Sequence, residues 1–287
     1  MRIAVTAATG RLGGAVVKAL IEHSGCPEII GISRSPGGID PPPIEYRKAD
    51  YANKQSYLHA LEGIDVVLLI SGMDDPSKRI GQHQNVLEAA RENGVRKIVY
   101  TSVVGNPEDA GFAPVVASNR QTEDDVKKSG LLWSIGRNGL YIEPDFEYLE
   151  HYVRAGKISN SAGVGKCGYT TREELGAAYA EMLIRDQHNG HTYNLTGPAI
   201  TQQELTSLIN MTYGLDLRYE CLTVEAYRKE RISELGEFLG TIISGIYEGI
   251  HKGYSDVPSD YEQAAGRKHV DWNTYFTRAR RAAHNHR

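Results

Sequence analysis

Nowhere does this sequence approach the ~20 consecutive apolar residues that a membrane-spanning helix needs. Its opening, MRIAVT, reads as a strand and not as a charged leader ahead of a hydrophobic core. Cysteine is scarce: Cys26, Cys167 and Cys221 lie far apart, are odd in number and have no metal-ligand spacing. A disulfide framework and a metal site are therefore not expected, and reduced thiols in a cytoplasmic protein fit best. Neither sign of charge dominates. With 32 Lys and Arg against 36 Asp and Glu, the net charge is -4, which gives no reason to expect a nucleic-acid or membrane partner. The basic end RARRAAHNHR reads as a solvated, fraying helix terminus. No internal repeat or low-complexity linker interrupts the chain, and the sequons at Asn194 and Asn210 carry little weight without a leader.

What is present is an alternation of short apolar strands and amphipathic helices. RIAVTA is a strand, and after it Leu12, Ala15, Val16, Ala19 and Leu20 form the inward stripe of a helix. EIIGIS is a second strand, SRSPGGIDPPP a loop by its Gly and Pro content, and IEYRKAD a third strand. Residues 54–62 read as helix. DVVLLISG is the unbroken apolar run of a strand covered on both faces. A helix from Lys78 to Asn93 stops at Gly94, and RKIVYTSV is the fifth strand. Ser118 with Gln121 has the spacing of a capping box opening a helix that ends near Gly130, and LLWSIGR is the sixth strand. This order implies right-handed crossovers and an α/β fold, a doubly wound parallel sheet of the Rossmann type. It occupies residues 1–140. Residues 141–287 read as a smaller, mainly helical lobe packed on it, with Thr171/Glu174 and Thr201/Glu204 as further capping boxes and HTYNLTG as a short strand.

The stretch VTAATGRLGG, residues 5–14, nearly spells the dinucleotide fingerprint, but Ala7 stands where the first glycine belongs. Gly10 and Gly13 keep the other two positions, for phosphate approach and for close helix–strand contact. A helix starting here offers free N–H groups to a pyrophosphate, with Thr6, Thr9, Arg11 and Leu12 as further contacts. If residue 7 has negative φ, alanine costs almost nothing; if φ is positive, the strain is on the order of 1–3 kcal/mol.

VTAATGRLGGAVV resembles the TGATGxLGxxVV opening of the atypical short-chain dehydrogenase/reductases called NmrA-like. The likeness continues through KADYAN, GQHQNVLEAARENGVRKIVYTS, GRNGLY and TTREELGAAYAEML, and the ordered set is similar to the quinone oxidoreductase type-2 and triphenylmethane reductase group. The last sixty or so residues match least well. The resemblance implies an NADP(H)-binding Rossmann domain with substrate held between it and the C-terminal lobe, and Asp50 in contact with the adenine.

The second strand ends in Ser33, Arg34 and Ser35 with no carboxylate, so Arg34 suits the 2′-phosphate of NADPH. Ser71, Gly72, Thr101 and Ser102 end the fourth and fifth strands, where ligands bind in such sheets. The wider superfamily reduces carbonyls with a Tyr-x-x-x-Lys pair, yet none of the seventeen tyrosines here has lysine four residues on. The equivalent positions fall at Val115 and Asn119, and Tyr227 with Arg231 has the spacing but lies far beyond the sheet. Asn138 and Tyr141 in GRNGLY are then the candidates for lining the reaction site, with Tyr141 placed to donate a proton. His83 reads as a packed histidine. An NADPH-dependent oxidoreductase acting on a quinone-like or conjugated small electrophile, as monomer or homodimer, is the expectation. A non-catalytic NADP(H) sensor is the alternative that the resemblance also implies; reduction or epimerisation of a sugar or small ketone suffers from the missing pair.

Overall fold

The structure is a computed structural model, which describes residues 1–25, 27–35, 43–108 and 111–285. Cys26 and most of the Pro/Gly loop after the second strand lie outside the described residues. The first half of the chain runs β1 (Arg2–Thr6), α1 (Arg11–Glu22), β2 (Glu28–Ser33), β3 (Glu45–Lys48), α2 (Lys54–Ala60), β4 (Val66–Leu69), α3 (Pro76–Glu92), β5 (Lys97–Val103), α4 (Ala113–Lys128) and β6 (Leu132–Asn138). There follow β7 (Leu140–Tyr141), α5 (Glu143–Glu147), α6 (Leu149–Ala155), β8 (Lys157–Asn160), β9 (Lys166–Cys167), β10 (Tyr169–Thr170) and α7 (Arg172–Ile184). The remainder is β11 (His191–Leu195), β12 (Ile200–Thr201), α8 (Gln202–Tyr213), β13 (Arg218–Cys221), α9 (Val224–His251), α10 (Tyr261–Ala265) and α11 (Trp272–Asn285). The basic terminal run, as far as Asn285, lies in α11.

Seven strands form one sheet in the order β11-β6-β5-β4-β1-β2-β3, and every neighbouring pair is parallel. Parallel neighbours need crossovers, so helices cover both faces. α1, α7 and α10 pack together on one side, α2, α3 and α4 on the other. Side chains divide by the period of two. Ile3, Val5, Val66 and Leu68 enter the first core, and Ala4, Val67 and Leu69 the second. Strand order reverses between β1 and β4, the switch point at which such sheets bind ligands.

The layer is completed from beyond residue 140. HTYNL, expected as a short strand in the lobe, pairs with β6 and sets Leu195 opposite Asn138, while α7 crosses the sheet to pack on α1. Another correction concerns α4, which starts at Ala113 with Pro114 in its first turn and no side-chain cap, five residues before the expected capping box. Ser118 instead donates to the Val115 carbonyl. Thr201 and Glu204 do form a full capping box. Thr171 caps α7, but the Glu174 carboxylate turns to Arg267. No helix among the described residues is long and apolar enough to cross a membrane.

The lobe has its own core around Ile142, Ile158, Tyr169, Leu205, Trp272 and Phe276. Asp145 is buried in it with the Tyr152 hydroxyl donating at 2.9 Å, and burial pushes the carboxyl up to about 6. A raised carboxyl costs stability as pH climbs: the effect is absent below about pH 4, where both folded and unfolded forms are protonated, and full above about pH 6. Asp145→Asn keeps the acceptor for Tyr152. It is therefore expected to stabilise the protein at pH 8 by at most about 3 kcal/mol and hardly at all at pH 4, read by unfolding at both pH values. Equal shifts at the two would refute the assignment.

Candidate active site

Ala7, between β1 and α1, has φ +48°, and among the described residues it is the one non-glycine with positive φ. Of the two possibilities left open by the sequence, the strained one holds, at a cost of about 1–2 kcal/mol. Surrounding contacts impose it. The Gly10 N–H donates to the Ala7 carbonyl at 2.9 Å, and the Ala8 N–H to Ile32 at 3.1 Å. A Cβ on Gly13 would stand 2.3 Å from the Ala7 oxygen and 2.8 Å from Ala8 Cα, whereas one on Gly10 would meet only the Ala7 oxygen, at 3.1 Å. Gly13 thus closes the turn against the helix, and Gly10 keeps its exposed side open. No side chain caps α1, and no acidic residue lies in its first turn. The N–H groups of Arg11, Leu12 and Gly13 have no intrahelical acceptor, an arrangement that fits a pyrophosphate.

The other candidates fall around this turn in two groups. Thr9 and Arg11 are exposed beside Gly10, while Leu12 and Gly13 are buried. Ser33 ends β2 with a buried hydroxyl that has no hydrogen-bond partner among the described residues, next to exposed Arg34. The Ser33 hydroxyl and the exposed Arg34 guanidinium fit a phosphate on the adenosine ribose. A carboxylate does lie in Arg34's field, from the loop after β4: Asp74 is held below its ordinary value by the Asp75 N–H and Gln82, then by the charges of Lys78 and Arg34. Asp50 is partly exposed after β3 and accepts from the Ala52 N–H at 2.9 Å.

Thr6 and Thr101 are buried, and their hydroxyls are committed to holding strand ends. Thr6 Oγ1 accepts from the Ile70 N–H at 2.9 Å and lies 2.6 Å from the Tyr51 hydroxyl, which donates to the Ile70 carbonyl. Thr101 Oγ1 accepts from the Ser71 N–H at 2.9 Å. Gly72 donates its N–H to His83 Nε2 at 3.0 Å, so the His83 proton sits on Nδ1 and is given to Thr122 at 2.9 Å. Burial and nearby Arg79 bring the His83 pKa down to about 3, which keeps it neutral and structural. Ser102 is buried too and donates to Glu123 at 2.6 Å. Burial alone would raise Glu123. Hydrogen bonds from Arg137 and Ser102 and the charge of Arg120 instead bring it below its ordinary value. Asn119, at the missing lysine's position, accepts from the Tyr100 hydroxyl at 2.7 Å.

Asn138 and Tyr141 come together at the carboxyl end of β6, where Asn138 Nδ2 donates to the Tyr141 hydroxyl at 3.1 Å. Tyr141 packs against the first core, under the Arg172 guanidinium 5.5 Å from its ring centre. Burial raises its pKa, against which the Asn138 bond and the Arg172 charge act. The two walls also meet through Glu147, which pairs with Arg11 and lies 3.6 Å from Arg172. Sequence reasoning missed Glu147, Arg172 and the fully buried Tyr179, whose hydroxyl reaches Asn138. Among the described residues no cluster could hold a metal ion.

An uncapped helix start at the switch point of a doubly wound parallel sheet defines a nucleotide-binding α/β protein. The model of the NAD(P)H-binding family matches residues 7–185, and the chain belongs to that family. It is 31% identical to quinone oxidoreductase 2 of Escherichia coli over 77% of this chain and 78% of that protein. It is also 31% identical to an NmrA-like family domain-containing oxidoreductase of Aspergillus flavus, over 76% of this chain and 74% of that one. Its fold matches triphenylmethane reductase of Citrobacter sp., crystallised with NADP(H), at a TM-score of 0.85 and 30% identity, covering 97% of this chain and 99% of that one.

Three variants separate the roles within the turn. Ala7→Gly is expected to leave melting nearly unchanged, because relief of strain is offset by unfolded-chain entropy, and cofactor affinity within about tenfold of the parent. Gly10→Ala folds but loses most cofactor affinity, since its methyl group occupies the phosphate side. Gly13→Ala fails to fold stably. Calorimetry and thermal unfolding read all three, and equal behaviour of Gly10→Ala and Gly13→Ala would show the roles to be wrongly divided.

Proposed function

We propose that this protein is an NADPH-dependent reductase that passes hydride to a quinone-like or other conjugated electrophile. The observation that carries the reading is the link from Tyr141 to the uncapped start of α1: Arg172 lies over the Tyr141 ring and shares Glu147 with Arg11. Bound NADPH supplies the hydride. The first turn of α1 takes its pyrophosphate, Ser33 and Arg34 its 2′-phosphate, and the backbone at Ser71 and Gly72 borders its nicotinamide end. The electrophile sits between the sheet and the lobe that starts at residue 141, in a cytoplasmic enzyme.

The missing Tyr/Lys pair narrows the chemistry. Asn119 is buried and bound to Tyr100, and the neighbouring Arg120 guanidinium is engaged by Glu123 and Ser102. Unactivated ketones need a strong acid, whereas a conjugated acceptor is already electrophilic and needs mainly to be held against the cofactor. The quinone and triphenylmethane reductase relatives support this class.

Purified protein should oxidise NADPH on addition of a benzoquinone or naphthoquinone, with hydride from nicotinamide C4 recovered in product. Tight NADPH binding without turnover across quinones, dyes and enones would overturn the reading in favour of a sensor. Arg34 sets the cofactor. NADPH should bind about ten- to a hundredfold more tightly than NADH, less so at high salt because the pair is exposed. Arg34→Ala should erase most of that preference and barely change NADH binding. Equal dissociation constants for the two nucleotides in the parent protein would leave Arg34 an ordinary surface residue.

A further inference from the structure

Gly136 stands in the middle of β6, and a Cβ there would lie 2.4 Å from the hydroxyl oxygen of Tyr179 on α7. The missing side chain is the slot that lets a full phenol reach under the sheet's carboxyl end. Tyr179 is fully buried, and its hydroxyl has two acceptors in reach, Gly136 O at 3.0 Å and Asn138 Oδ1 at 2.6 Å.

These distances match one assignment of the Asn138 amide, with its oxygen toward Tyr179 and its nitrogen toward Tyr141. O–H···O bonds run ~2.5–3.0 Å and N–H···O bonds ~2.7–3.2 Å. The 2.6 Å contact to Tyr179 is that of a hydroxyl donating to the amide oxygen, and the 3.1 Å contact to Tyr141 is that of the amide N–H donating to a phenol. Asn138 is itself buried, and both ends of its amide are engaged. With one lone pair of Tyr141 filled by Asn138, the Tyr141 proton has to point elsewhere.

We infer that Tyr179 is a positioning residue that holds Asn138 as a donor toward Tyr141, so that Tyr141 offers its own proton to an acceptor oxygen, which makes a quinone or enone carbonyl the substrate class. This rests on the reductase reading above. The acceptor gains two electrons and a proton as hydride from NADPH, and negative charge gathers on its oxygen. The Tyr141 O–H bond then breaks, its proton forms the new O–H of the hydroquinone or enol, and water returns a proton to the phenolate. The Asn138 N–H and the Arg172 guanidinium over the ring stabilise that phenolate, in place of the superfamily's lysine. A cationic triarylmethane dye accepts hydride at carbon and leaves no oxyanion, so it gains nothing from this arrangement.

Tyr179→Phe in the full-length protein tests the inference in two ways. The ratio of naphthoquinone to cationic-dye turnover is expected to fall about tenfold, with NADPH affinity within about twofold of the parent. A merely structural role would lower both turnovers together and leave the ratio unchanged, which would overturn the inference. Independently of turnover, 19F NMR of protein carrying 3-fluorotyrosine, with Tyr141 assigned by Tyr141→Phe, reads the ionisation midpoint of Tyr141. Loss of the fixed donor should raise that midpoint by about half a unit or more. Asn138→Leu removes the donor directly and must raise it as well, even if Tyr179→Phe does not fold. An unmoved midpoint in Asn138→Leu refutes the inference. If the parent binds NADPH and reduces neither acceptor, the reductase reading fails while the midpoints still decide the hydrogen-bond relay.

Discussion

The site depends on one close approach, the Ala7 carbonyl against the first turn of α1 at Gly13. That contact leaves no room for a side chain, and it forces Ala7 into the left-handed region. It also fixes how α1 lies along β1. α7 packs on α1, and α7 carries Arg172 at its start and Tyr179 on its buried face. The placement of the cofactor turn and the placement of the groups around Tyr141 are thus one packing problem. A strained alanine is tolerable because both sides of that contact are held by a buried core, and the cost is a small part of what such a core supplies.

Charge is handled differently on the two sides of β6. Glu123 is buried but answered by Arg120, Arg137 and the Ser102 hydroxyl, so it stays ionised and ties the ends of β5 and β6 to α4. That commitment explains why Ser102, at the carboxyl end of β5 where ligands bind in such sheets, has its hydroxyl directed inward. On the other side Tyr141, Asn138 and Tyr179 form a neutral hydrogen-bonded chain with no carboxylate in it. A neutral chain can shift proton density without burying a net charge, which suits it to the edge of a reaction site.

Most of the sheet was legible in the sequence because strands covered on both faces must be nearly continuous apolar runs. VVLL and KIVYTSV read as strands on that ground alone. The seventh strand was less so. HTYNL alternates in burial like an edge strand, and its pairing with β6 depends on the α7 crossover, a contact that local periodicity does not encode. The start of α4 was misjudged because Pro114 begins the helix, whereas Ser118 offered a capping pattern within it. The turn itself was legible from Gly10 and Gly13, but the sign of φ at Ala7 depends on contacts across β2 and α1. One available signal for Tyr179 went unused: Gly136 interrupts an otherwise filled strand, and a glycine there marks a close approach from the layer above.

The exposed ion pairs around Glu147 illustrate where the cleft's rigidity does not come from. Arg11 and Glu147 are largely exposed, and pairs of that kind contribute about 0–1 kcal/mol. Deleting the pair would leave α1 seated by Leu12, Val16, Val17 and Leu20, and would leave the lobe seated by Ile142, Tyr169 and Trp272. The walls are set by these apolar contacts, and the ion pairs only decide which charges line the space between them. There the charges are matched: Arg11 and Arg172 share Glu147, Arg172 also lies 4.0 Å from Glu143, and Arg34 lies in the field of Asp74. A rigid apolar frame holds those charges at constant distances from one another and from the Tyr141 ring.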